Sequence, residues 1–153
     1  MLEAGSTAPA ALAASRADRV RATWVFDARD LLRCRSSARE LRHLHARFGG
    51  AVEITAIALD ADRPAVESFL RYERVQASVR YLSTRDGSAP AGIRWPALYL
   101  ARGARIEKVF FGIPLDDTIS LRSRNVEETV GSLLVRSGTG DRHDTQTSAR
   151  ELR

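Results

Sequence analysis

The sequence holds one cysteine, Cys34, inside the run VFDARDLLRCRSSARELRHL, where a strand-like stretch gives way to a helix-like one. A thiol at the start of a helix is well placed for nucleophilic or redox chemistry, because the positive end of the helix dipole favours the thiolate. One cysteine excludes an internal disulfide and a four-thiolate zinc site. Asp27 and Asp30 flank the same loop, and Asp30 reads as a helix N-cap. A Cys34–His45 dyad fails on distance: eleven helical residues span about 16 Å along the axis, too far for proton transfer. His45 reads as a buried or boundary residue on the apolar stripe of that helix, His43 as solvated, and His143 as part of a polar tail. Three scattered histidines support no metal site, and no cofactor is expected. The stretch TRDGSAPAG lacks the spacing and lysine of a phosphate loop and reads as a turn.

The elements that must position Cys34 follow from periodicity. Val20 to Phe26 is rich in β-branched and aromatic residues and predicts a buried strand. From Leu31 to Phe48 the apolar residues fall at helical spacing, Cys34, Ala38, Leu41, Leu44, Phe48, until Gly49-Gly50 stops the run. Ala51 to Asp60 predicts a second strand, and RPAVESFLRYERV a helix with Pro64 in its first turn. A short strand in ASVRYLS, a hairpin of PALYLAR and RIEKVFFG around Gly103, and a last helix in VEETVGSLLVR complete the order βαβα(β)ββα. A strand-helix-strand unit with a right-handed crossover pairs its strands in parallel, and the hairpin adds antiparallel ones. This predicts an α/β domain with a central mixed sheet flanked by helices over residues 20–136, after a flexible leader (1–19) and before a disordered tail (137–153).

With 153 residues and 44% hydrophobic content, one core is enough. The net charge of +5 is concentrated between Arg29 and Arg47, where six arginines face only Asp30 and Glu40. No segment interleaves aromatic with basic residues, so the patch reads as a solvated helix face and no nucleic-acid partner is expected. The N-terminal stretch opens with Glu3 instead of a basic cluster and has no long apolar run, so neither a signal peptide nor a membrane segment is expected. The compartment stays open, with a cytoplasmic one as the default.

The element order, the cysteine at the first strand-to-helix junction, GIRWPALYL before the hairpin and VFFG after it resemble the thioredoxin superfamily, and within it the TlpA/ResA-like redoxins. That branch carries Phe-Trp-Ala-x-Trp-Cys-x-Pro-Cys-Arg, then an acidic residue and helix leucines. Phe26, Ala28, Cys34, Arg35, Leu41 and Leu44 match it residue by residue. Among the departures are Asp27 for the first Trp, Leu31 for the first Cys, Arg33 for the Pro and Ser37 for the acid. The resemblance implies a thioredoxin-like fold, a cis-proline at Pro96 beside the active-site loop, and a groove there for a protein partner or substrate, with Trp95, Pro96, Asp27, Leu31 and Arg35 as its binding residues. It also implies a degenerate site, because disulfide exchange needs one thiolate to attack and a second thiol to resolve. A second register makes Cys34 the first residue of CRSS, similar to a monothiol glutaredoxin, at the cost of three inserted residues between Phe26 and Cys34. Two functions therefore stand side by side: a redox-related or protein-binding module without dithiol catalysis, and a single-thiol redox protein in which Cys34 is catalytic and forms mixed disulfides.

Overall fold

The computed structural model describes residues 1–113 and 119–138, without the side chains of residues 119 and 120. Strand β1 (Val20–Asp27) lies at the centre of the sheet, and all its residues except Arg21 and Asp27 are buried. A continuous apolar run is what a strand covered on both faces requires. The chain then passes through a single 3₁₀ turn (Leu32–Cys34) into α1 (Arg35–Phe48), so the helical run expected from Leu31 begins with a tighter turn. Helix α1 ends at Gly49, whose φ of 53° is a conformation glycine adopts without steric cost. Next come β2 (Val52–Leu59), α2 (Arg63–Tyr72), β3 (Ser78–Leu82), β4 (Ala97–Arg102), β5 (Arg105–Phe111) and α3 (Ile119–Gly138). The strand order is β3-β2-β1-β4-β5. The pairs β1–β2 and β2–β3 are parallel, and β1–β4 and β4–β5 antiparallel.

Alternation along the strands divides the core cleanly. Val20, Ala22, Trp24 and Phe26 of β1, with Ile54, Ala56 and Ala58 of β2 and Leu98 and Leu100 of β4, pack with Leu41 and Leu44 of α1, Val66 and Leu70 of α2, and Val126, Val130 and Leu133 of α3. All three helices thus bury their apolar stripes against one face of the sheet. The opposite face presents Val25, Ile57, Leu59, Ala97, Tyr99, Ala101 and Ile106, with no helix over it among the described residues.

That second face corrects the reading of residues 1–19 as a flexible leader. Ala8, Ala11 and Leu12 are buried on it, Leu12 completely. The segment is tied along its length to the far hairpin: Gly5 N–H donates to Ile106 O at 2.7 Å, Ile106 N–H to Ser6 O at 2.9 Å, and Ala8 N–H to Ala104 O at 2.8 Å. The physical reason is the uncovered apolar sheet face, which irregular chain must shield when helices do not. At Gly103 the fit is close; a Cβ there would lie 2.8 Å from Ala17 O. At the other end of the chain, α3 extends through Gly138, and the rest of the expected tail lies outside the described residues.

Glu53 of β2 clasps this arm. It accepts the Ser15 N–H at 3.0 Å, a hydrogen bond from the Ser15 hydroxyl, and the Arg21 Nε–H at 3.0 Å. Burial pushes its pKa up, but the bonds from Ser15 and Arg21 outweigh that and hold the carboxyl below the usual glutamate value. A depressed folded-state pKa contributes stability above the unfolded value, near 4.5, that is lost as pH falls through the lower folded value. Urea unfolding at pH 7 and pH 3.5 is therefore expected to show a smaller acid loss for Glu53→Gln than for the parent. Equal losses would mean that the clasp carries no linked stability.

Candidate functional site

A pocket of about 250 Å³ opens where β1 ends, lined by Phe26, Asp27, Asp30, Arg33, Cys34, Trp95, Pro96 and Ile113. The parallel crossover brings the end of β1 and the start of α1 together, and the antiparallel pairing of β4 with β1 sets Trp95 and Pro96 opposite them. Phe26 is fully buried and stacks on Trp24, with ring centroids 3.9 Å apart. The Trp95–Pro96 peptide bond is cis. Pro96 O accepts the Gly112 N–H at 2.8 Å, and Trp95 is 41% exposed at the rim. Beside it, the Arg94 guanidinium lies 4.2 Å over the ring of Phe111, which is 43% exposed.

Cys34 is only 4% exposed, and its Sγ donates to Asp30 O at 3.3 Å. Its pKa is pushed up to about 12, by burial first, then by the negative charges of Asp30 and Asp27. The α1 N-terminus acts the other way, but such a dipole effect is typically worth about 1 kcal/mol, less than one pKa unit. Burial and the carboxylates win, and the thiol stays protonated at neutral pH.

The two carboxylates are themselves occupied. Asp27 accepts the Arg29 N–H at 3.0 Å and the Arg29 Nε–H at 2.9 Å, with a further bond from Arg29 Nη2. The Arg29 side-chain bonds hold its carboxyl below the usual aspartate range. Asp30 pairs with Arg33 Nε at 3.0 Å and accepts the Arg33 N–H at 3.4 Å; it is not the helix N-cap it was expected to be, because the 3₁₀ turn starts from Leu31 and α1 from Cys34.

Of the residues expected at the site, the structure brings together Cys34, Asp27, Trp95 and Pro96. Leu31 and Arg35 do not line the pocket. Leu31 is half-buried against the helix-side core, and its carbonyl accepts the Cys34 N–H at 3.0 Å. Arg35 turns away to Glu73 at the end of α2, Nε to Oε1 at 2.9 Å, and Glu73 also accepts Arg42 Nη1 at its backbone carbonyl. The basic face of α1 is thus partly spent on holding α2. Ile113 lines the pocket without a signal in the sequence that marked it, and a buried ion pair outside the pocket was likewise not foreseen. Glu40, 3% exposed, pairs with Arg122 of α3. Its burial had a signal, since Glu40 falls three residues after Ser37 and four before Leu44 on the buried side of α1. His45 is half-buried and His43 exposed. Among the described residues no group of three His, Cys, Asp or Glu side chains could hold a metal, and no helix is long and apolar enough to cross a membrane.

No family model and no curated protein matches this sequence. Solved structures do. A candidate thiol:disulfide interchange protein DsbE from Chlorobium tepidum superposes with a TM-score of 0.66 at 18% identity, over 88% of this chain and 99% of that one. A DsbF homologue from Corynebacterium diphtheriae gives 0.57 at 16% identity, over 75% and 72% of the two chains. A secreted Mycobacterium tuberculosis disulfide oxidoreductase homologous to Escherichia coli DsbE gives 0.56 at 21% identity, over 72% and 84%. The chain therefore has a thioredoxin-like fold, a mixed five-stranded sheet flanked by helices, whose structural neighbours are disulfide oxidoreductases of the DsbE and DsbF type.

Proposed function

We propose that this chain is a thioredoxin-like domain, of the TlpA/ResA-like kind with a degenerate site, that does not carry out two-thiol exchange and uses the groove beside Pro96 to bind a protein partner. The observation that carries this reading is the state of its one thiol: Cys34 is buried, hydrogen-bonded to Asp30 O and held protonated by its surroundings. Leu31 stands where an attacking thiol would be needed. The groove still offers what a recognition surface requires, a concave apolar floor at Phe26 and Pro96 with the amphipathic ring of Trp95 at its rim. Arg35, engaged with Glu73, supports no role in that groove, so the proposed surface is Trp95, Pro96 and the loop carrying Asp27 and Asp30.

Alkylation kinetics test it. At pH 7.5 a thiol with a pKa near 12 holds roughly a thousandfold less thiolate than an ordinary one. Iodoacetamide should therefore label Cys34 in the native protein far more slowly than in urea-unfolded protein, and insulin disulfides should not be reduced above the background with dithiothreitol. Labelling of the native protein as fast as the unfolded chain would overturn the reading and favour mixed-disulfide chemistry at Cys34.

A further inference from the structure

We propose that Arg122 and Glu40 are positioning residues for the groove, holding the backbone beyond β5 in the path that makes Ile113 part of its wall. The contacts run without a break. Arg122 Nε donates to Glu40 Oε2 at 3.1 Å and Nη2 to Oε1 at 3.3 Å. Nη1 donates to Gly112 O at 2.8 Å and Phe111 O at 3.1 Å. The Gly112 N–H in turn donates to Pro96 O at 2.8 Å, and the next residue, Ile113, lines the pocket opposite Trp95 and Pro96.

Two observations make this more than helix packing. Consecutive carbonyls in a regular strand point in opposite directions. Here both reach one guanidinium, where the chain turns at Gly112 with φ of 81°, a conformation that favours glycine. The turn and the arginine are matched, and only the planar fork of arginine serves a carboxylate and two carbonyls at once. Moreover, the pair is costly to bury: Glu40 is 3% exposed and the Arg122 side chain 14%. Removing both charges from water offsets most of their attraction, so apolar residues would join α1 to α3 as well. What they would leave undone is the binding of the Phe111 and Gly112 carbonyls.

The role assigned to this wall rests on the groove reading above, but its test needs no partner and no thiol chemistry. Native-state amide hydrogen exchange of the free full chain, followed by NMR, is the measurement. Arg122→Lys, which keeps the charge and loses the fork, is expected to speed exchange at Gly112 by about tenfold or more, with Ala56 and Ile57 of β2 little changed. Glu40→Ala, which keeps the guanidinium and removes its anchor, should show the same selective rise. Leu133→Ala, a core truncation on α3, is the control for general loosening and should not. Exchange at Gly112 that rises only in step with Ala56 and Ile57, or equally in Leu133→Ala, would reduce the pair to ordinary packing. Fast alkylation of Cys34 would remove the proposed function and leave this result standing.

Discussion

Leu31→Cys is expected to reduce insulin disulfides at least about tenfold faster than either the parent protein or the buffer reaction. The expectation rests on the turn joining the two positions: the Leu31 carbonyl accepts the Cys34 N–H at 3.0 Å, so a thiol at 31 would stand one tight turn before the existing one. Position 31 is also more open than the almost fully enclosed Cys34, which gives it the access an attacking thiolate needs and leaves Cys34 to resolve the mixed disulfide. The Asp27 and Asp30 charges disfavour the thiolate, so the new activity should rise more steeply with pH than that of an ordinary dithiol. Insulin turbidity measures turnover, and mass spectrometry of the oxidised variant reports the disulfide between the introduced thiol and Cys34. If oxidation forms no such disulfide, Leu31 does not occupy the attacking position, and the alternative register through CRSS gains.

The second large effect lies in the arm that precedes β1. Leu12→Ala is expected to lower the unfolding free energy by about 2 to 5 kcal/mol, the usual range for truncating a fully buried leucine. A residue in a flexible leader would cost nothing. Leu12 is 0% exposed, among Ile57, Tyr99 and Ile106 on the helix-free face of the sheet. Urea denaturation with an unchanged slope measures the loss, and a midpoint equal to that of the parent would return this segment to the status of a leader.

These two sites mark how far the sequence could be read. The strands and helices were legible because each carries its own signal: the β-branched and aromatic residues of β1 and the three-and-four spacing of α1 and α2 are local. That Cys34, Asp27, Trp95 and Pro96 lie together was legible only through resemblance, since nothing in their spacing says that residues 34 and 96 share a pocket. The arm within residues 1–19 was not legible. Its composition of Ala, Ser, Pro and Gly is that of a linker, and its burial depends on a sheet face that none of the described helices covers, which only the topology reveals. Arg35 misled for a related reason. A basic side chain at a helix start has many possible partners, and the one it takes, Glu73, lies at the end of another helix. Glu40 and Arg122 are separated by most of the domain, and their meeting depends on how α1 and α3 cross the same sheet face.

The helix-free face has a consequence for how the molecule is made. The arm that shields it leaves the ribosome before any strand of the sheet, yet its hydrogen-bonding partners, Ala104 and Ile106, belong to the last hairpin. Contacts between the two ends of a domain close late, since their loop entropy is recovered only once the intervening chain is ordered. During synthesis, Ile57, Leu59 and Tyr99 can thus be paired in a growing sheet while the arm still lacks its seat on β5. The half-made protein carries an oily surface that the finished one hides, and this interval is when a chaperone, or a neighbouring nascent copy, would find something to hold.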